Sequence, residues 1–218
     1  MTLGLRVIAQ ILLGLTSIGV YGALGALHTR GGVLTSIVLV ALLTFVAILF
    51  HELAHAAAAH LVGARIHAIV AFPFRLRFRP RRIELIKRGA HHRGDLGGYV
   101  SYTLDRIDAR RKHAVIAAAG PLANLVLAVL AGTMVPWFDS PLAPLTVQAV
   151  PGGAALDEAA VKELVTRIDE SRQPALPIIL FAFAMLSGGL GLANLIPYGG
   201  SDGDHILNLW RRRVRGGG

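Results

Sequence analysis

Hydrophobic residues are arranged in four long runs separated by polar segments. The runs cover about 3–27, 33–63, 113–135 and 174–197. An apolar helix of about 20 residues is long enough to cross the hydrocarbon core of a bilayer. The pattern therefore predicts a mainly α membrane protein with about four transmembrane helices. The composition supports this class over a soluble globule, since 54% of the residues are hydrophobic and 16% are charged.

The first run has two interpretations. It could be a signal peptide, because it is N-terminal and ends in small residues. A signal core is about 7–15 residues long, and the run from Leu3 to Leu27 is longer. We therefore expect a retained span, followed by a short turn at His28–Gly32.

The polar segment 64–112 is predicted to form a small membrane-associated β-sheet between the second and third spans. Phe74, Leu76 and Phe78 alternate with arginines, which is the period of a strand. Residues 83–86 are a candidate partner strand, and residues 98–102 follow a glycine turn as a further one.

Charge is distributed unevenly between the polar segments. Segment 64–112 carries 11 Arg and 2 Lys against four acidic residues, whereas the loop 136–173 is net acidic and contains a predicted amphipathic helix at 157–171. Positive loops stay on the cytoplasmic side. We therefore expect a multi-pass protein of the cell membrane, with both termini and the basic loop in the cytoplasm and the loop 136–173 outside.

The net charge of +9 raises the question of a nucleic-acid partner. The basic residues lie beside apolar spans, where the lipid bilayer and the control of topology explain them better. We therefore expect no nucleic-acid partner, and we interpret residues 1–218 as a single membrane-embedded unit.

Near the inner end of the second span lies the sequence His51-Glu52-Leu53-Ala54-His55. On a helix, His51 and His55 share one face and can bind one zinc ion, and Glu52 can act as general base on a water at the metal. Both histidines could instead be satisfied core groups. Ionisable groups are costly in an apolar span, so the metal site is the better interpretation.

A catalytic zinc site of this kind needs a third protein ligand and an open position. The chain has no Cys, so the third ligand must be His or a carboxylate. Asp202 is the best candidate because it follows a span broken at Pro197, at the same predicted depth as the two histidines. Asp204 and His205 are close competitors, and Glu84 in the basic loop is a weaker one.

These residues resemble the site-2 proteases, a family of intramembrane zinc metalloproteases. Three motifs in order carry the resemblance: His51-Glu52-Leu53-Ala54-His55, Gly120-Pro121-Leu122-Ala123-Asn124, and Asn194-Leu195-Ile196-Pro197 with Asp202-Gly203. Gly98-Tyr99-Val100 is similar to the family's membrane-associated β segment. The sequence departs from the family at Gly199, where a second Pro is frequent, and at Asp204, where Gly is frequent. The loop 136–173 is too short for the PDZ domain of many members, which indicates a short form.

The resemblance implies a site and a reaction. His51, His55 and Asp202 would bind one Zn²⁺ ion, and Glu52 would be the catalytic base. Asn124 and Asn194 would help to hold an extended substrate near the metal, together with the β segment at Gly98 and Tyr99.

The expected activity is hydrolysis of peptide bonds in transmembrane or membrane-proximal protein substrates, that is, regulated intramembrane proteolysis. The expected partners are a membrane protein substrate, the bilayer and a regulatory membrane protein. Two alternatives remain: a non-catalytic membrane zinc-binding scaffold and a transporter with a broken fourth helix.

Overall fold

The computed structural model describes residues 2–25, 28–86, 98–138 and 175–215. In these ranges the chain forms five helices and one small sheet. The elements follow in the order α1 (Thr2–Gly25), α2 (His28–Leu61), β1 (Arg65–Ala71), β2 (Phe74–Phe78), β3 (Arg81–Leu85), β4 (Gly98–Thr103), α3 (Ala109–Phe138), α4 (Ala175–Leu195) and α5 (Asp202–Arg215).

The helices α1 to α4 confirm the four predicted spans, because each is long and apolar enough to cross a membrane. The predicted turn at His28–Gly32 is wrong, since α2 already begins at His28. The polar residues and glycines of this segment are typical of a turn, but here they form the start of the helix, where boundaries are hard to predict from composition. Helix α3 begins at Ala109, four residues before the predicted boundary. The amphipathic helix predicted at 157–171 lies outside the described residues.

The four strands form one antiparallel sheet in the order β3-β2-β1-β4. The predicted pairing of β2 with β3 is confirmed, with Leu76 opposite Ile83. β4 pairs with β1, with Tyr99 opposite Val70. Within the described residues, β2 is paired on both sides and β4 on one side. An added strand would therefore find free hydrogen-bonding groups on an edge strand such as β4, and not on β2.

The hairpin of β2 and β3 has an apolar face and a charged face. The ring of Phe74 packs against Phe45 of α2, with ring centroids 5.7 Å apart. The apolar face is therefore continuous with a candidate membrane span, and we expect it to contact lipid. On the other face, Glu84 forms ion pairs with Arg77 and Arg82.

Two apolar clusters hold the helices together. The larger cluster joins α1, α2 and α4 and consists of Val20, Leu24, Leu43, Ala47, Ile178, Ala182 and Leu186. The smaller cluster joins the end of α2 to α3 through Ala58, Ala59, Ala64 and Ile116. Helix α4 approaches α3 closely at Gly191, where an added Cβ would lie 3.0 Å from the carbonyl oxygen of Pro121. A glycine at this position therefore permits close packing of the two helices.

Candidate metal centre and active site

The last turns of α2 place three ionisable side chains in the protein interior. His51, Glu52 and His55 are 6%, 4% and 7% exposed. The four-residue spacing brings the two imidazoles together, with their Nε2 atoms 3.0 Å apart. Alanines follow at positions 56–59, so that the helix continues with small, strongly helix-forming residues that let α3 approach.

Asp202 reaches the same point from the other end of the chain. Helix α4 ends at Leu195, and α5 begins at Asp202 after a turn through Pro197. The Oδ2 atom of Asp202 lies 3.1 Å from Nε2 of His51 and 3.4 Å from Nε2 of His55. The carboxylate, which is at least 147 positions from either histidine in sequence, thus converges with them on one point.

The arrangement fits a tetrahedral metal ion. Zinc bonds of about 2.0–2.1 Å at tetrahedral angles hold ligand atoms roughly 3.3–3.4 Å apart. The three separations of 3.0, 3.1 and 3.4 Å lie close to this value. Three ligands also leave the fourth position for water or substrate, as in catalytic zinc sites. Within the described ranges, His51, His55 and Asp202 form the group of side chains close enough to share an ion.

The hydrogen bond of His55 to α3 fixes the nitrogen that is free to bind a metal. Nδ1 of His55 lies 2.6 Å from the carbonyl oxygen of Ile116, and a carbonyl oxygen only accepts. Nδ1 therefore donates, and the neutral ring presents the lone pair of Nε2 toward His51 and Asp202. Metal-binding histidines are typically oriented by such an outer hydrogen bond.

Ionisation of Asp202 is favoured by its neighbours. Burial alone would disfavour the carboxylate, but the neighbouring imidazoles of His51 and His55 outweigh it and lower the pKa of Asp202 to about 2. A carboxylate that is ionised at neutral pH suits a metal ligand.

Two glycines allow neighbouring elements to lie against these side chains. A Cβ at Gly120 of α3 would be 2.6 Å from Nε2 of His51 and would also overlap the ring of His55. A Cβ at Gly98 of β4 would be 2.7 Å from Oε1 of Glu52. The face of α2 that carries His51 and His55 is therefore covered by α3, and Glu52 is covered by the start of β4.

The site opens into a cavity of about 940 Å³. Glu52 borders it, and its Oε2 atom has no hydrogen-bond partner among the described residues. A buried carboxylate oxygen without a protein partner is available to a water molecule or a substrate. Both Asn124 and Asn194 line the cavity, and so do residues 98–102 of β4.

Comparison with families of known proteins identifies the chain. The model of peptidase family M50 matches residues 38–217, which include His51, Glu52, His55 and Asp202. The chain belongs to peptidase family M50. Comparison with curated proteins and with solved structures finds no match.

Membership in family M50 agrees with the predicted resemblance and indicates metallopeptidase chemistry in a membrane-embedded protein. The four apolar helices and the cluster of His51, His55 and Asp202 are the structural counterparts of these two properties.

Within the described residues, the competing ligand candidates are not part of the group of side chains close enough to share an ion. The ring of His205 packs edge-on against His113, with centroids 5.5 Å apart. Asp204 donates its backbone N–H to the hydroxyl of Ser201, and Glu84 is engaged by arginines of the sheet. Within the described residues, the geometry therefore favours Asp202 as the third ligand.

Sequence reasoning missed several residues that contact His51, His55 or the cavity beside them. The carbonyl group of Ile116 has no sequence signal, because any residue offers a carbonyl. Gly120 was noticed as part of a motif, but its role in admitting α3 was not. A glycine inside an apolar helix often marks a close approach, and this signal was available in the sequence. Arg6 and Gln10, the polar interruptions of the first span, line the same cavity.

Proposed function

We propose that this protein is an intramembrane zinc endopeptidase that cleaves transmembrane or membrane-proximal segments of membrane proteins. The observation that carries the proposal is the convergence of His51, His55 and Asp202 at 3.0–3.4 Å beside Glu52 in one cavity. A non-catalytic zinc site does not need a glutamate with an unpartnered oxygen next to its ligands.

Zinc fits the three-residue centre, with Nε2 of His51, Nε2 of His55 and Oδ2 of Asp202 as its ligand atoms. A bound zinc ion supplies Lewis-acid polarisation of the scissile carbonyl and an acidified water at neutral pH. Glu52 accepts a proton from the attacking water on its free carboxylate oxygen. The same carboxyl group then returns the proton to the amide nitrogen that leaves.

The substrate must present an extended backbone, because a helix hides its peptide groups in internal hydrogen bonds. β4 offers a strand edge for this purpose, and residues 98–102 border the cavity that contains Glu52. An extended segment that adds to β4 places its peptide bonds beside the catalytic base. In this proposal Gly98 and Tyr99 contact the substrate backbone, and Asn194 contacts it from α4.

The surroundings of the reaction follow from the charge pattern. The positive charge of segment 64–112 supports a location of the sheet and both termini on the cytoplasmic side of the cell membrane. In this proposal, water and product exchange with the cytoplasm. We propose regulated intramembrane proteolysis as the process, with a membrane protein as substrate and a further membrane protein as regulator. Residues 1–218 act as one unit in this scheme.

The test uses the full-length protein in proteoliposomes with a single-span test substrate. We compare wild type with Glu52→Gln and measure bound zinc and cleavage in the same samples. We expect the variant to keep its zinc, and we expect its cleavage rate to fall by a factor of about 10²–10⁴, the usual contribution of a general base. Glu84→Gln is the matched control, because it removes a carboxylate that pairs with Arg77 in the sheet. We expect this variant to cleave the substrate like wild type.

Other results would lead to other functions. Full activity of Glu52→Gln would refute the mechanism. Zinc binding by the wild type without cleavage of any membrane substrate would favour a non-catalytic scaffold. Solute flux that does not depend on Glu52 would favour a transporter.

A further inference from the structure

The side chain of Asn124 contacts a metal-ligand candidate from behind. Asn124 lies on α3 and is only 1% exposed. Its Nδ2 atom is 3.2 Å from Nδ1 of His51, the ring nitrogen that points away from Asp202. The second amide atom, Oδ1, is buried and has no hydrogen-bond partner among the described residues. Ser187 of α4 donates to the backbone carbonyl of Asn124 at 3.0 Å, which ties α3 to α4 at this position.

The chemistry of the imidazole decides which amide atom must face it. A neutral histidine carries one N–H, on either Nδ1 or Nε2. If Nε2 of His51 binds a metal, the hydrogen must be on Nδ1, and Nδ1–H then needs an acceptor. The amide NH₂ of Asn124 cannot accept, whereas its carbonyl oxygen can. A half-turn of the amide about its last bond puts Oδ1 in contact with Nδ1, and the two amide ends have nearly the same shape.

The two amide orientations correspond to two states of the centre. With Nδ2 facing His51, Asn124 donates to Nδ1, and Nε2–H of His51 donates to Oδ2 of Asp202 at 3.1 Å. With Oδ1 facing His51, Nδ1–H donates to Asn124, and Nε2 offers its lone pair to an ion. The same residue therefore satisfies the ring in both states, which an Asp or a backbone carbonyl would not do.

We propose that Asn124 is a positioning residue for His51, whose Oδ1 accepts the Nδ1–H hydrogen bond and so holds Nε2 ready for the metal. His55, the other proposed histidine ligand, has a corresponding outer contact, the hydrogen bond from its Nδ1 to the carbonyl oxygen of Ile116 at 2.6 Å. Both outer contacts come from α3, so one helix orients both imidazoles. The inference rests on the proposed zinc site and gives Asn124 a role other than the substrate contact that the resemblance implies. Its 1% exposure leaves little surface for a substrate.

The test measures metal affinity, not proteolysis. Full-length, metal-free protein in detergent is titrated with Zn²⁺ against a chromophoric chelator, and with Co²⁺ to record the visible spectrum of the bound ion. Asn124→Leu has a similar shape and no acceptor, so we expect its zinc affinity to fall by about 10–100-fold, the usual cost of losing an outer hydrogen-bond partner. Asn124→Asp keeps an acceptor toward Nδ1–H, and we expect its affinity to equal or exceed that of wild type.

The control separates orientation of the ligand from contact with the substrate. Asn194 lines the same cavity, and in the described part of the chain no hydrogen bond joins it to the ligand candidates. Asn194→Leu should therefore keep the zinc affinity and Co²⁺ spectrum of wild type. Thermal unfolding of the metal-free variants shows whether loss of folding accounts for any loss of zinc.

Several outcomes decide between the readings. Unchanged zinc affinity in Asn124→Leu would overturn the inference and leave the zinc site intact. Equal losses in Asn124→Asp and Asn124→Leu would also overturn it, because the amide N–H would then be the important group. If the leucine variant does not fold, the aspartate variant decides alone: a loss of zinc affinity in Asn124→Asp overturns the inference, and an affinity above that of wild type supports it. A wild type that binds no zinc would instead refute the proposed function.

Discussion

Gly98 at the start of β4 lies directly against Glu52 of α2. A Cβ at position 98 would be 2.6 Å from Cγ and 2.7 Å from Oε1 of Glu52, and 2.7 Å from the carbonyl oxygen of Val70. One of these neighbours is strand backbone, so the strand cannot yield without leaving its register with β1. Because Gly98 has no Cβ, the proposed base can lie directly against the strand edge on which we expect the substrate to bind.

From this contact we predict that Gly98→Ala impairs cleavage more than metal binding. The methyl group would displace the carboxylate of Glu52 or the edge of β4, and a shift of about 1 Å near the reacting groups can cost roughly 100-fold in rate. Zinc content should stay at the wild-type level, because His51, His55 and Asp202 are not touched. Cleavage in proteoliposomes and zinc analysis of the same samples measure both effects. Gly14→Ala, where a Cβ meets nothing within 4 Å, is the control. Wild-type cleavage by Gly98→Ala would contradict the prediction.

We predict that the two neighbouring aspartates differ in their effect on metal binding. Asp202→Asn removes a charged ligand, so its zinc affinity should fall by about 100-fold or more, beyond the roughly 10–100-fold cost of losing an outer hydrogen-bond partner. Asp204→Asn changes a carboxylate that lies outside the three-residue cluster and should keep its affinity. A competition titration of both purified variants tests the pair. A larger loss in Asp204→Asn would move the third ligand to that residue.

Much of this fold could be predicted from the periodicity of the sequence. Apolar runs of membrane length and a period of two at Phe74–Phe78 depend on local composition, and both were confirmed. The start of α2 at His28 was missed, because polar residues at a helix end have the composition of a turn. Helix α5 was not foreseen either. Its start depends on a turn in which Ser201 accepts the N–H of Asp204 at 3.2 Å.

The site was predictable in its chemistry but not in its support. The spacing of His51 and His55 determines a shared helix face, and the break at Pro197 suggested that Asp202 could reach them. The contacts that orient these side chains depend on how α3 packs on α2. Gly120 signals that another element can approach α3 there, but the sequence does not say which one, and the carbonyl of Ile116 carries no signal. The carbonyl contact and the partner in the close approach could therefore be recognised only in three dimensions.

We predict that Gly120→Ala destroys the metal centre. The added methyl group would be 2.6 Å from Nε2 of His51 and would overlap the ring of His55, so α3 must move away or the imidazoles must turn out. Overpacking of this kind typically costs about 1–3 kcal/mol. We expect loss of zinc binding and a lower temperature of thermal unfolding.

The matched control lies on the same helix. A Cβ at Gly132 would meet the Cβ of Ala184 at 4.0 Å, which is ordinary contact. Gly132→Ala should therefore bind zinc like wild type and be slightly more stable, because alanine favours the helix over glycine by about 1 kcal/mol. If Gly120→Ala bound zinc as tightly as Gly132→Ala, α3 would not cover the metal site as closely as described.

Ser201 is predicted to hold Asp202 in place, although in the described part of the chain its hydroxyl forms no hydrogen bond with the side chains of His51, His55 or Asp202. Its hydroxyl accepts the backbone N–H groups of Asp204 and Tyr198, at 3.2 and 3.1 Å, and lies 2.7 Å from the carbonyl oxygen of Ile196. It thus caps the first turn of α5 and ties the turn back to the end of α4. Loss of a helix cap costs about 1 kcal/mol.

We expect Ser201→Ala to lower the temperature of thermal unfolding and to weaken zinc binding by about 10-fold, because Asp202 is the next residue and depends on this turn for its position. Ser17→Ala is the control, since the exposed hydroxyl of Ser17 only donates to the carbonyl of Leu13 within α1. Zinc should also raise the unfolding temperature of Ser17→Ala more than that of Ser201→Ala at the same concentration, because stabilisation by a ligand follows its affinity. Equal zinc affinity in the two variants would contradict the prediction. It would mean that Asp202 is positioned by α5 itself and not by the hydrogen bonds of Ser201.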